Sequence, residues 1–382
     1  MGYIHIEIDS RQRSKKAGKA CGDAFCYYRT PEATLIILAD GIGSGIKANI
    51  YANMAVARLE KLLRQGVSLR KAFATLVETM HEARGTELPY AVFTLVQILK
   101  NGETTILAYE MPEGILISRR LAAPCKTRNF TLGNEVISET NLFLEAGESL
   151  IIYTDGISQA GIGGKTRLGW SSKEIAQFTN NFLQNGSKTT QAGREIFAQA
   201  IDLWGKRLGD DCTLISAYCR PGKVVNLLSG PALDKRHDHR VVKDFCATEG
   251  EKIVCGATTA RIVARETGRN LSINQADRSL VAPPGYSIAG IDLVSEGAVS
   301  LNQAFNILDE DPLNYEPDSS VSRLCAMLCA ADRVNFYLGN TTNEGHADIS
   351  FKQKGIIPRA KIIKMLAQRL QNLGKLVAVH NI

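Results

Sequence analysis

The chain has 382 residues, 45 of them basic and 39 acidic, for a formal net charge of +6 at neutral pH. That length allows two domains with sizeable cores. The charge is mild and spread, and the one basic cluster, Lys15-Lys16-Ala17-Gly18-Lys19, is too short for a nucleic-acid groove and reads as a solvated loop.

Strands are predicted over 3–8, 24–29 and 34–40, where β-branched or alternating runs are bounded by turn residues. The opening alternation of Ile4, Ile6 and Ile8 is that of a strand and not of a secretory leader. A helix is expected over 46–64, ending before Gly66. A second starts after Ser68, a good N-cap, and carries Leu69, Phe73, Leu76, Val77 and Met80 on one stripe. Further strands are expected over 91–98, 104–110, 114–118 and 149–155, helices over 172–183 and 191–205, and a strand over 213–219. Hairpin-paired strands with helices inserted in pairs predict antiparallel sheets with helices stacked outside, an α+β arrangement.

A domain boundary is predicted near Arg220-Pro221-Gly222, separating residues 1–221 from 222–382, and Leu228-Ser229-Gly230-Pro231 also reads as loop. The second part alternates strand and helix signals and is expected to be an α/β domain. A strand over 252–255 leads through Gly256-Ala257-Thr258-Thr259 into a helix reaching Ala264. That junction either offers backbone amides to an anion or is a plain turn with Thr258 or Thr259 as N-cap. A strand is expected over 287–294, a helix from Pro358 closing at Gly374, and a last strand over 376–379. His237-Asp238-His239 sits in a charged run and reads as exposed. No apolar run reaches the roughly 18 residues of a membrane helix. The nine cysteines lack a Cys-x-x-Cys pair and read as free thiols. A cytoplasmic protein is expected.

Three distant segments place an aspartate at the end of an apolar run: Asp40 before Gly41-Ile42-Gly43-Ser44-Gly45, Asp155 before Gly156, and Asp210-Asp211 before the run beginning at Cys212. Gly22-Asp23 precedes them. Two carboxylates about 5 Å apart repel by roughly 3 kcal/mol at an effective dielectric of about 20, so a cluster takes up protons or requires cations. No histidine or cysteine stands beside these aspartates in a ligand-like spacing, and all-oxygen ligation suits Mg²⁺ or Mn²⁺ and argues against zinc.

The series Gly-Asp, Asp-Gly-x-Gly-x-Gly with a helix, Thr-Asp-Gly and Gly-Asp-Asp-x-Thr resembles the metal-dependent protein phosphatases, the PPM or phosphatase 2C superfamily. The bacterial branch typified by stage II sporulation protein E is the most similar, over residues 3–220. The most specific segments are Leu38-Ala39-Asp40-Gly41-Ile42-Gly43-Ser44-Gly45, residues 144–157 ending in Tyr153-Thr154-Asp155-Gly156-Ile157, and Gly209-Asp210-Asp211-Cys212-Thr213-Leu214. The resemblance implies an αββα sandwich of two antiparallel sheets with a metal site at one end. It implies that Asp40 bridges two Mn²⁺ or Mg²⁺ ions, that the Gly41 carbonyl ligates one, that Asp155 and Asp210 complete the ligand set of the second ion, and that Asp23 acts through metal-bound water. It further implies a serine/threonine protein phosphatase using direct attack by a metal-bridging water. The implied substrate is a phosphorylated regulator, such as an anti-sigma-factor antagonist in a partner-switching circuit. No counterpart of the phosphate-binding arginine of eukaryotic members is identified, although Arg11, Arg13 and Arg29 are available. Residues 222–382 resemble an appendage of some phosphatases of this branch, which implies a regulatory or partner-binding role.

Two other readings compete. A catalytically inactive phosphatase fold could serve as a binding module, although a scaffold has no need of mutually repelling carboxylates. Gly41-x-Gly43-x-Gly45 also superficially matches a dinucleotide fingerprint, but position 46 is Ile46 and Asp40 would repel a pyrophosphate.

Overall fold

Chain contacts divide the protein into two units, Tyr3–Pro221 and Gly222–Ile382. The structure is a computed structural model describing residues 3–43, 45–84, 88–119, 121–206, 209–273, 285–310, 319–339 and 355–382. Ser44 of the Asp40 segment lies outside the described residues.

In the first unit the strands are β1 (Ile4–Arg13), β2 (Asp23–Arg29), β3 (Ala33–Gly41), β4 (Ala91–Leu99), β5 (Glu103–Tyr109), β6 (Ile115–Ser118), β7 (Leu121–Pro124), β8 (Arg128–Leu132), β9 (Glu135–Phe143), β10 (Ser149–Tyr153) and β11 (Cys212–Pro221). They form two antiparallel sheets, ordered β1-β11-β10-β6-β7 and β2-β3-β4-β5-β9-β8. Period-two alternation sends Ile36, Leu38, Val96, Leu150, Ile152 and Ile215 into the core between the sheets. The opposite side of the six-stranded sheet, with Ile37, Phe93 and Leu95, is covered by helices α1 (Ile46–Arg64) and α2 (Leu69–Ala83). The outer side of the five-stranded sheet packs on the single turn α3 (Asp155–Ser158) and on α4 (Ser172–Gln184) and α5 (Ala192–Trp204). This is the αββα sandwich expected from the sequence.

Helix α1 presents Ala48, Ala52, Ala55, Val56 and Leu59 to the sheet. The alanines keep its axis close to β3, where the acidic loop begins. Helix α2 contributes Phe73, whose ring centroid is 5.0 Å from that of Phe93, itself 5.6 Å from Tyr109. Phe93 is fully buried, so Phe93→Ala is expected to destabilise this unit by about 3–5 kcal/mol, read as a lower denaturant midpoint with an unchanged slope.

Three strands, β7, β8 and β9, are absent from the sequence reading. The first is four residues long and ends in Pro124, and β8 is exposed along nearly its whole length, so neither carries a clear apolar period. Their signal was the Gly133-Asn134 pair, which joins Leu132 to Glu135 as a two-residue hairpin turn with Gly133 at φ +60°.

The second unit contains β12 (Val224–Ser229), α6 (Asp238–Ala247), β13 (Glu251–Cys255), α7 (Ala257–Thr267), β14 (Leu271–Ile273), β15 (Tyr286–Ile288), β16 (Leu293–Ser295), α8 (Ala298–Ile307), α9 (Ser320–Ala330), β17 (Arg333–Leu338), α10 (Arg359–Asn372) and β18 (Leu376–Asn381). The sheet order is β14-β15-β16-β13-β12-β17-β18, parallel from β16 to β18. Helices α8, α9 and α10 share one core with Val225 and Leu227, while α6 and α7 share the other with Leu228 and Val254. The unit is therefore a doubly wound α/β sheet.

Several expectations change here. Leu228-Ser229 is not loop but the end of the central strand, whose burial on both faces erases the alternation. The strand expected over 287–294 is two strands, because Gly290 at φ +75° turns the chain between them. Neither Thr258 nor Thr259 caps α7; its N-cap is Gly256, and the Thr259 hydroxyl instead accepts a hydrogen bond from Gly230 N at 2.9 Å. Asp238 is buried beside Arg265 and His239 pairs with Glu266, so the His-Asp-His run is not uniformly exposed. Cys325 and Cys329 share α9 as free thiols. Among the described residues no helix is long and apolar enough to cross a membrane.

Candidate metal centre

Register brings the first two acids together. In the β2–β3 ladder Asp23 lies directly opposite Asp40. The other two flank the neighbouring strands β10 and β11 of the second sheet, where Tyr153 lies opposite Leu214. Asp155 is not in a strand, as the sequence reading had it. The strand stops at Tyr153, Thr154 is the N-cap, and Asp155 opens the turn α3. Asp210 sits in the bend just before β11.

Threonines link the sheets at this point. Thr154 Oγ1 donates to Asp23 Oδ2 at 2.8 Å and accepts from Thr213 N at 3.0 Å. Gln12 Nε2 donates to the Asp23 carbonyl and to Thr213 Oγ1. Gln159 Nε2, one turn along from Asp155, donates to its Oδ2 at 2.7 Å. Asp211 accepts from Lys15 N at 2.6 Å and Gly22 N at 2.7 Å, and so pins the β1–β2 loop. Sequence reasoning quoted Thr154 and Thr213 within motifs but gave them no role, and it missed Gln12 and Gln159. The i, i+4 spacing of Asp155 and Gln159 was the available signal.

The glycines after the aspartates have a packing reason. A Cβ on Gly41 would stand 2.0 Å from the Ala48 carbonyl oxygen of α1. One on Gly156 would stand 2.0 Å from the Asp211 carbonyl oxygen. Each Asp-Gly pair thus lets its acidic segment press onto the backbone beside it. Gly43 and Gly45, at φ +123° and +66°, supply the left-handed turn between β3 and α1.

Burial pushes the Asp40 carboxyl far above the usual carboxylate range, and the charges of Asp23, Asp155 and Asp210 push it further. Asp23 is also raised by burial, against hydrogen bonds from Thr213 and Thr154 that favour its ionised form. Asp155 is raised by burial and then by Asp210. Among the described residues Asp23 Oδ1 and Asp155 Oδ1 are buried without a hydrogen-bond partner. These orphaned oxygens and the shared repulsion fit a site that takes hard cations. The nearby thiols do not compete: burial, and then Asp23, raise Cys21 to about 12 and raise Cys212 as well. The carboxylates have electrostatic contact but not a closed shell; among the described residues no three His, Cys, Asp or Glu side chains are grouped as an ion would need.

The dinucleotide reading finds no support in this geometry. The glycine loop follows a strand of an antiparallel sheet, and β4, which comes after α1 and α2, returns antiparallel to β3, whereas that fingerprint belongs to a parallel βαβ unit.

The profile of the family described as "Stage II sporulation protein E (SpoIIE)" matches residues 30–220. Among solved structures, the chain is similar to the PP2C phosphatase domain with a fragment of the regulatory domain of the cell fate determinant SpoIIE from Bacillus subtilis. The TM-score is 0.49 at 17% identity, covering 58% of this chain and 63% of that one. The RsbU and RsbW domains of Rv1364c from Mycobacterium tuberculosis give a TM-score of 0.48 at 15% identity, over 64% and 68% of the two chains. The S. agalactiae serine/threonine phosphatase gives 0.43 at 14%, over 56% and 99%. No curated protein matches the sequence.

Proposed function

Because this chain belongs to the stage II sporulation protein E family, we propose that it is a Mn²⁺- or Mg²⁺-dependent serine/threonine protein phosphatase acting in the cytoplasm on a phosphorylated regulator, such as an anti-sigma-factor antagonist. The observation that carries this reading is the convergence of aspartates remote in sequence, with the carboxyls of Asp23, Asp40 and Asp155 raised in proton affinity by burial and by their acidic neighbours.

Asp23, Asp40, the Gly41 carbonyl, Asp155 and Asp210 would hold two ions. When bound, the ions supply positive charge for the phosphoryl oxygens and acidify water at neutral pH, which phosphate-ester hydrolysis requires. The chain's own groups do the positioning. Thr154 fixes Asp23, and Gln159 fixes one oxygen of Asp155 while leaving the other free to ligate. Asp211 holds the β1–β2 loop and is not proposed as a ligand. With Cys21 and Cys212 held as thiols, neither is available as a covalent nucleophile. The unit Gly222–Ile382 is proposed as the regulatory or partner-binding part.

Among the described residues no three His, Cys, Asp or Glu side chains stand close enough together to hold an ion, and this spacing favours a second reading, a phosphatase fold that binds a partner without catalysis. Hydrolysis of an aryl phosphate separates the two. Turnover is expected with Mn²⁺ and is lost in excess chelator, and Mn²⁺ is expected to raise the melting temperature. A folded protein inert with both Mn²⁺ and Mg²⁺, towards aryl phosphate and phosphopeptides alike, would leave the binding module as the better account.

A further inference from the structure

A second charged feature lies beside the acidic cluster. A groove of about 620 Å³ is lined by Gln12, Arg13, Ser14, Lys15, Lys16, Ala17, Gly18 and Lys206. It has four cationic side chains and no acidic one. None of the four forms an ion pair with a described carboxylate. One rim meets the acidic segment directly, and the other is set by a residue close to it in sequence. On one, Lys15 N donates to Asp211, and the Lys15 charge acts on Asp155. On the other, Lys206 follows α5 and precedes Asp210 by four residues.

We propose that this groove is the docking subsite for an acidic stretch of polypeptide flanking the phosphorylated residue of the protein substrate. The proposal rests on the phosphatase reading and goes beyond it by naming a sequence class of substrate. Four aspartates repel any acidic segment that approaches alone, while four cations beside them, none in an ion pair among the described residues, attract it. With its acidic flank held in the groove, the peptide would bring its phosphoresidue next to the aspartates, where bound cations would offset their charge. The lining has no aromatic and no large apolar side chain to receive a nucleobase. The groove is local, whereas a nucleic acid needs a basic stripe along its backbone.

The test uses the full chain and two labelled phosphoserine peptides, one flanked by Asp and Glu and one by Ser and Gly, with affinity read by fluorescence anisotropy. The acidic peptide is expected to bind about tenfold tighter, a preference that weakens as salt rises. Lys16→Glu with Lys206→Glu removes that preference, and Lys16→Arg with Lys206→Arg retains it. In turnover, the ratio of kcat/KM for the acidic peptide to that for aryl phosphate falls about tenfold in the Glu variant. Equal affinity for the two peptides, or an unchanged ratio in the Glu variant, overturns the proposal. So does displacement of the acidic peptide by pyrophosphate, ATP or an oligonucleotide at lower concentration than by an acidic non-phosphorylated peptide. Charge-dependent binding without any metal-dependent hydrolysis faults the phosphatase reading and leaves the docking site standing. Hydrolysis of aryl phosphate without charge-dependent peptide binding does the reverse.

Discussion

Replacing Asp40 by Asn is expected to reduce cation-dependent phosphatase activity about a thousandfold or more, since the proposed site would lose several kcal/mol of charge stabilisation. The same change is expected to make the chelator-treated protein more stable. The folded Asp40 carboxyl holds its proton well above the range in which an unfolded aspartate loses it, because of burial and then the charges of Asp23, Asp155 and Asp210. Between those two ranges the native state binds more protons than the unfolded state, so stability falls as pH rises. Asparagine keeps the shape and has no proton to lose. Melting curves in chelator are therefore expected to show wild type losing stability from weakly acidic to weakly alkaline pH, and Asp40→Asn losing less. Each kcal/mol appears as about 2–4 °C for a unit of this size. Mn²⁺ should reverse the alkaline loss in wild type and not in the variant. A variant that melts lower than wild type in chelator at alkaline pH would mean that the Asp40 carboxylate stabilises the fold, contrary to the electrostatic argument.

Legibility followed distance along the chain. Helices α1 and α2 could be read because Ala48, Ala52, Leu59, Phe73 and Leu76 recur at helical spacing. Strand β3 could be read because Leu35 through Ala39 form an apolar run closed by Asp-Gly. The central strand β12 could not, since Val225 and Leu228 are buried on opposite faces and Asn226 is buried with them. Its amide bonds to Glu249 and Asn335, which no local pattern announces. The acidic cluster was legible as an ordered set of motifs. Its supports were not, because the Thr154–Asp23 bond spans 131 positions and the Lys15–Asp211 bond spans 196. The basic loop at Lys15 reads as solvated because it is short, and it is exposed, but what it faces is not readable from it. Its neighbours Lys206 and Asp211 arrive from the far end of the domain.

Gly41→Ala is expected to be the most disruptive single-methyl change near the site. Its Cβ would meet the Ala48 carbonyl oxygen at 2.0 Å, its carbon at 2.7 Å and its Cα at 3.1 Å. All three atoms are backbone of α1, so no side-chain rotation relieves the contact. The helix must lift from β3, and Ala52, Ala55 and Leu59 lose contact with Phe93 and Leu95 in the same core. The cost is expected to reach or exceed about 3 kcal/mol, the upper end for overpacking. Cation-dependent turnover is expected to disappear with it, because the displaced segment carries Asp40. Gly164→Ala is the control: its nearest neighbour would be a carbonyl oxygen at 3.6 Å, an ordinary contact, and both stability and turnover should stay near wild type. Denaturant midpoints and aryl-phosphate turnover measured on the two variants decide the matter. If Gly41→Ala stays as stable and as active as Gly164→Ala, then α1 does not rest on the Asp40–Gly41 segment, and the packing route from that helix to the acidic cluster does not exist.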